Sequence, residues 1–335
     1  MGLRIEKPGL LTTVQDTGRL GHQKEGVLVS GAMDAMALRM GNLLVGNHEN
    51  SASLEMTLLG PTITFTQSHL ISITGADLSP KINGEAIPLW RPVLVKAGAI
   101  LTFGTPIQGT RSYLNIAGGL KVEPVLGSAS TYLKAGFGGW QGKVLQAGIE
   151  LDCNELSTHM FPFVKSLENG LGKEAFYATS WRPSPDLLPA YEPNPIIRAV
   201  RGPEYDWFSL ESKDTFWQTS FQLTAASDRM GYQLEGEKLE LQKVLEMLST
   251  AVTFGTVQVP SSGNPIVLMA DHQTTGGYPR IAQVITADYS KLAQVVPGRQ
   301  IQFQEVTLEE AQFLYLKQEQ NLERLKQTLS LKFTT

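Results

Sequence analysis

Short β-branched runs, each cut off after a few residues by Gly, Pro or Asn, constrain this chain more than any other feature. TITF at Thr62–Phe65, LISIT at Leu70–Thr74, ILTF at Ile100–Phe103, YLNIA at Tyr113–Ala117, TVQV at Thr256–Val259 and VITA at Val284–Ala287 are the clearest. Each is too short for a stable helix and suits a pleated sheet. With 32 Gly and 18 Pro in 335 residues, the punctuation favours barrels or sandwiches over helical bundles. Asn83-Gly84 in KINGEAI supplies the two positive φ angles of a type I′ turn and predicts a hairpin.

Helices are few. One is predicted from Asp34 to Leu44, with Asp34 as N-cap and Gly46-Asn47 as the stop. A second follows the capping box Thr307-Leu-Glu-Glu310 and places Leu308, Ala311, Tyr315, Leu322, Leu325 and Leu329 on one face. That face is expected to pack on the second domain. A third, weaker pattern covers Leu239–Leu248. Five prolines between Pro183 and Pro195 block helix and interior strand, so the domain boundary is placed there, giving domains 1–190 and 191–335. VLVKAGAILTF, closing at Phe103, and LAQVVPGRQIQF, closing at Phe303, each put a Gly (Gly98, Gly298) two residues before an alternating strand. This internal echo is compatible with two related barrels.

A formal net charge of −4 gives no basic excess to neutralise phosphates and argues against nucleic acid as a partner. The one cysteine, Cys153, cannot form an intramolecular disulfide or a zinc cluster, and it fits a reducing cytoplasm. No metal site is expected. The N-terminal residues carry Arg4, Glu6 and Lys7 without an apolar core, and no run approaches the roughly 20 apolar residues of a membrane helix. The expectation is a soluble cytoplasmic protein.

Familiar nucleotide motifs fail on inspection. LENGLGKEA offers Gly172-Lys173 but has Leu167 where a P-loop needs Gly and Glu174 where it needs Ser or Thr. AGFGGWQG has Gln141 where a dinucleotide fingerprint needs its third Gly. G-x-S-x-G and H-E-x-x-H are absent. The strongest candidate for chemistry is PIVLMADHQTTGGYPR, Pro265–Arg280, where a short apolar strand ends in acid, imidazole, hydroxyls and a double glycine. Asp271, His272, Thr274 and Thr275 are the candidate catalytic residues. Gly276, Gly277 and Tyr278 are the candidate binding residues, the glycines allowing close backbone approach to a ligand. A polar hairpin that merely caps its own turns has the same residue types.

Further candidates are scattered. Asp16, Arg19 and His22 sit among glycines, and Ser30-Gly31 precedes the first helix. Glu55 and Arg111 are isolated charges in apolar runs, where each needs an opposite partner. Arg229 in SDRMGYQLEG is a possible carboxylate clamp, and GSAST at Gly127–Thr131 is another polar turn. Trp140, Trp207 and Trp217 are candidate interface anchors.

Taken in order, PGLLTTVQDTGRLGHQ, GVLVSGAMDAMALRMGNLLVGN, LEMTLLGPTITF, ITGAD, RSYLNIAGG, SDRMGYQLEG and GTVQVPSSGNPIVLMADHQTTGGYP resemble the KipA/PxpC proteins. These form a branch of the biotin-dependent carboxyltransferase-like family, which also includes the allophanate-hydrolase-subunit-2-like module of urea carboxylase. The resemblance spans Gly9 to Val296. It implies a mainly β protein with two cyclophilin-like β-barrel domains, a few short helices and a C-terminal helix. It also implies two partner subunits, one KipI/PxpB-like and one LamB/YcsF-like, and ATP-driven opening of a small lactam, 5-oxo-L-proline, to L-glutamate by the assembly. Two alternatives come with the family: a regulatory protein that antagonises a KipI-like inhibitor of a sporulation histidine kinase, and a carboxyltransferase component acting on urea or a related amide. Ala129 stands in GSAST where many relatives carry arginine, and no A-M-K-M motif occurs. Both argue against a biotin-linked role.

Overall fold

The computed structural model describes residues 2–243 and 247–334. The chain divides into two compact units: Met1–Gly18 with Asp34–Pro189 and Gln320–Thr335, and Arg19–Met33 with Ala190–Glu319.

The first unit is built on two six-stranded antiparallel sheets. One runs in the order Glu150–Leu151, Leu3–Lys7, Thr62–Phe65, Ile100–Thr102, Lys81–Ile82, Glu85–Ala86. The other runs Phe176–Ala178, Val93–Val95, His69–Asp77, Gln108–Ile116, Ser53–Thr57, Leu11–Gln15. Residues two apart share a face, so Leu3/Ile5, Leu54/Met56, Ile63/Phe65, Ile71/Ile73 and Leu114/Ile116 all enter one core. Burying each such side chain contributes about 1.5–3 kcal/mol. Asn83 (φ 49°) and Gly84 (φ 88°) make the expected tight turn between Lys81–Ile82 and Glu85–Ala86.

The opposite face of the second sheet is polar yet buried, because it lies beneath the helix Ala35–Leu44. Ser72 and Thr74 each donate at 2.7 Å to helix carbonyls, of Gly41 and Ala37 respectively. Ser53 donates to Asn115 Oδ1 at 2.7 Å. The hydroxyls thereby find acceptors on the helix backbone or on the Asn115 amide, and polar strands remain tolerable in the interior. Asp34 caps the helix, its Oδ1 accepting from Ala37 N–H at 3.0 Å.

The second unit contains a closed seven-stranded barrel: Ile196–Arg201, Arg280–Val284, Thr256–Gln258, Ile266–Leu268, Gly231–Glu235, Ser220–Leu223 and Gln300–Glu305. The ring closes through a parallel pairing in which Ile197 faces Phe303. Ser209 caps the helix Leu210–Gln218, which drives Phe216 into the core, where its ring stacks on Phe303 with centroids 4.6 Å apart. Gly98 and Gly298 stand at φ 80° and 89°, so the repeated turn in the two units is real. VITA behaves differently from the expectation: its strand is Arg280–Val284, and Thr286–Asp288 is a 3₁₀ turn.

Two helix expectations need correction. The pattern over Leu239–Leu248 falls partly on residues 244–246, which lie outside the described residues. Its described part is not helical, because the N–H groups of Leu239 and Gln242 bond to the carbonyls of Gly263 and Trp207. The C-terminal helix runs Leu308–Thr334, with Thr307 Oγ1 accepting from Glu310 N–H at 3.1 Å. Its buried residues are Leu322, Leu325, Leu329 and Phe333, all within the Gln320–Thr335 segment of the first unit. Phe333 lies 5.0 Å from the Phe163 ring, while Leu308 and Tyr315 are exposed. The leucine face therefore packs in the first unit and not, as expected, on the barrel. Among the described residues, no helix is long and apolar enough to cross a membrane.

Candidate functional site

Asp271 lies just beyond the strand Ile266–Leu268, and its N–H bonds to the Arg229 carbonyl at 2.7 Å. Arg229 sits in a turn closed by Asp228, whose Oδ1 accepts from Met230 N–H at 2.7 Å. That turn presents the guanidinium to the carboxylate in a fork: Nε to Oδ2 at 2.8 Å and Nη2 to Oδ1 at 3.1 Å. Arg229 Nη2 also donates to the Gly31 carbonyl at 2.5 Å. Ser30 Oγ donates to Asp271 Oδ1 at 2.5 Å. Ser30, Arg229 and Asp271 are all buried, and the ion pair is tolerable there because each member satisfies the other. Ser30 adopts φ 57°, a left-handed conformation that costs a non-glycine residue about 1–3 kcal/mol. With both oxygens engaged, the Asp271 carboxylate is fixed in place and anchors the loop after it.

His272, also buried, is differently placed. Its Nδ1 is 2.6 Å from the Gln273 carbonyl oxygen. A carbonyl can only accept, so Nδ1 carries the proton and Nε2 keeps its lone pair. Burial pushes the imidazole pKa below its ordinary value, against the raising effects of the Gln273 carbonyl and the Asp271 charge. The ring is therefore a neutral base near pH 7. Among the described residues, the N–H groups of Gln273 and Thr274 and the hydroxyls of Thr274 and Thr275 have no hydrogen-bond partner.

Thr275–Gly276 pairs with Thr250–Ala251 in a two-stranded ribbon. Gly276 is glycine for a packing reason: a Cβ there would come within 2.2 Å of Gln258 Nε2. At Gly277 the nearest atom to a Cβ would be 3.4 Å away, an ordinary contact. Gly277 and the exposed Tyr278 line a cleft of about 490 Å³ with Leu239, Leu241, Val259 and the Ser261-Ser262 turn. The ribbon is held by Arg280, which donates from Nε and Nη2 to Glu204 at 2.7 and 2.6 Å and from Nη1 to the Ala251 carbonyl at 3.0 Å. Burial opposes ionisation of Glu204, but the hydrogen bonds and charge of Arg280 outweigh it and hold the carboxyl below its ordinary range. Glu204 gave no local signal in the sequence, since its partner is 76 positions away.

Glu55 and Arg111 belong to the first unit. Both are buried on neighbouring strands. Glu55 Oε2 accepts from the Tyr113 hydroxyl at 2.7 Å, and that hydroxyl accepts from Asp34 N–H at 2.8 Å. Burial, then the charges of Glu55 and Asp34, raise the Tyr113 pKa well above ordinary, so the phenol keeps its proton. The strand pairing places Tyr113 directly opposite Glu55, a relation that sequence reading missed. Asp16 organises the GSAST turn: it accepts from Ser128 Oγ at 2.7 Å, Ser130 Oγ at 2.5 Å and Ala129 N–H at 2.7 Å.

Gly172-Lys173 follows the C-terminus of the helix Phe161–Leu171. That end carries the negative pole of the helix dipole, so the segment does not suit a phosphate.

Residues 25–305 match the family model for the carboxyltransferase domain, subdomain A and B. The C subunit of 5-oxoprolinase from Escherichia coli (strain K12) is 41% identical over 328 residues, which cover 98% of this chain and 97% of that protein. The C subunit of 5-oxoprolinase from Haemophilus influenzae is 40% identical, covering 96% of each. The crystal structure of the K. lactis urea amidolyase superposes with a TM-score of 0.85 at 29% identity over 97% of this chain, which spans 20% of that chain. The ordered motifs, the β architecture and these likenesses agree: the chain belongs to the carboxyltransferase domain family, subdomains A and B, alongside the C subunits of 5-oxoprolinase.

Proposed function

We propose that this chain is the C subunit of an ATP-dependent 5-oxoprolinase and opens 5-oxo-L-proline to L-glutamate with two partners, one KipI/PxpB-like and one LamB/YcsF-like. The observation that carries this reading is the 41% identity to the Escherichia coli C subunit across nearly the full length of both chains. Opening the lactam breaks its C–N bond, adds the elements of water, and moves a proton to the departing nitrogen. His272 Nε2 takes that proton from the attacking water and passes it to the nitrogen, because its ring is neutral and its other nitrogen is tied to Gln273. The unpartnered N–H groups of Gln273 and Thr274 receive the negative charge that develops on the carbonyl oxygen. Asp271, Arg229 and Ser30 are positioning residues that fix the loop. Coupling to ATP belongs to the assembly, since the lysine-bearing Gly172 segment sits at the electronegative end of a helix.

The test is 5-oxoproline-dependent ADP release with the chain alone, with the KipI/PxpB-like partner, and with both partners. Turnover is expected only in the full mixture. An isolated chain working at the full rate would overturn the shared reaction. The 0.85 TM-score with urea amidolyase favours urea as a second substrate class, and turnover of urea in the same assay in place of 5-oxoproline would select it.

A further inference from the structure

The glycine-rich segment AGFGGWQG, which fails as a nucleotide fingerprint, forms one wall of a cleft of about 570 Å³ in the first unit. Gly136, Gly138, Gly139, Gln141 and Gly142 all take positive φ, Gln141 at 54°. The loop therefore turns back on itself repeatedly, and among the described residues the N–H groups of Gly138, Trp140 and Gln141 have no acceptor. The Trp140 indole N–H has none either. Gly138 is a buried residue that lines the cleft, and backbone N–H groups without a protein acceptor need a partner from outside the chain. Successive backbone N–H groups in such a turn usually suit an anion. Here the rest of the lining opposes one: the exposed Glu123 and Glu150 carry negative charge into the cleft, while the charge of Lys121 acts on Asp152. Phosphate or a free carboxylate would be repelled. The complementary occupant offers neutral carbonyl oxygens to the loop and positive charge to the rim. The indole face of Trp140, half-buried in the lining, favours the same cation.

We propose that this cleft docks an extended, basic segment of a partner polypeptide, with peptide carbonyls on the Gly138–Gln141 amides and a Lys or Arg between Trp140 and the Glu123/Glu150 rim. Backbone carbonyls supply affinity and the cation supplies specificity, as in other extended-peptide sites. The proposal rests on the multi-subunit reading above, and its test separates the two. The full chain and its Glu123→Lys/Glu150→Lys variant, both residues being exposed, are titrated with the purified KipI/PxpB-like partner by calorimetry at low and high salt. Hydrogen exchange is followed at Gly138, Trp140 and Gln141, with ATP alone as a separate arm. The expected results are about tenfold weaker binding by the variant, weaker binding of wild type at high salt, and slowed exchange of the three amides in the assembly. Equal affinity of variant and wild type, or unchanged exchange in an assembly that turns over 5-oxoproline, defeats the docking site alone. Slowed exchange with ATP alone would make the cleft a nucleotide site and overturn the proposal. Failure of any assembly to form removes the multi-subunit reading with it. A thermal melt of the variant matching wild type excludes misfolding as the cause.

Discussion

The Ser30 hydroxyl donates to Asp271 Oδ1 at 2.5 Å across 241 positions of sequence, from a backbone held at φ 57°. The strain is local to one side of this bond and the benefit falls on the other, where Arg229 already grips the same carboxylate. Two substitutions separate the terms. Ser30→Ala keeps the strain and loses the hydrogen bond, and is expected to lower unfolding free energy by about 1–2 kcal/mol. Ser30→Gly loses the same bond but relieves the left-handed conformation, so it should be the milder change by about 1 kcal/mol. Urea denaturation of both variants checks the order, and an alanine variant as stable as the glycine variant would show that the backbone angle carries no strain.

For His272, depression of the pKa from 6.5 has a definite sign. The neutral ring is the working form, so activity should persist below pH 6.5 and fall only as pH drops through the lowered folded value. Folding follows the same direction: the unfolded chain takes up a proton on this ring at higher pH than the native one, so stability decreases as pH falls below 6.5. His272→Ala should reduce 5-oxoproline-dependent ADP release by the assembly about 10²–10⁴-fold and abolish that acid limb. His272→Ala with a wild-type pH profile and rate would remove the ring from the reaction. Asp271→Asn is expected to act through position instead, lowering both activity and thermal stability because Arg229 then lacks its counter-charge.

What could be read from sequence was what depends on near neighbours. The Asn83-Gly84 turn, the Asp34 cap, the Thr307 cap and the two-residue alternation of Leu54/Met56 or Ile71/Ile73 are decided within a few positions. The loop from Asp271 to Tyr278 stood out by composition alone. The roles within it did not, because they depend on pairings at a distance: Arg229 reaches Asp271 across 42 positions and Glu204 reaches Arg280 across 76. Leu239–Leu248 shows the converse failure. Its apolar spacing suits a helix, but Leu239 N–H finds the Gly263 carbonyl, and tertiary pairing overrides local pattern. Tyr113 was read as part of a strand, and only the register against Glu55 revealed its hydroxyl as the shared partner of Glu55 and Asp34.

The double glycine should divide sharply under alanine substitution. Gly276→Ala places a methyl 2.2 Å from Gln258 Nε2 and 3.3 Å from Val252 Cγ1. Gln258 is itself only 2% exposed, so its side chain has little room to retreat. A loss of about 1–3 kcal/mol is expected, as for overpacking in a core. Gly277→Ala meets nothing closer than 3.4 Å and should stay within about 0.5 kcal/mol of wild type. Equal effects of the two in urea melts would contradict the packing explanation for Gly276.

Glu204 and Arg280 make the strongest stability prediction, because their fork also holds Ala251 of the ribbon. Glu204→Gln leaves a half-buried guanidinium without its counter-charge and is expected to cost about 3 kcal/mol near neutral pH. The pH dependence follows from the sign of the shift. Arg280 holds the Glu204 carboxyl below its reference value of 4.5, so the native state releases this proton more readily than the unfolded chain. The stabilisation is complete above that reference value and is lost as pH falls through the lowered folded value. Wild type and Glu204→Gln should therefore differ most at neutral pH and converge in acid. Parallel melting curves from neutral to acid pH, with a constant gap between the two proteins, would show that the ion pair does not set the acid stability of the ribbon.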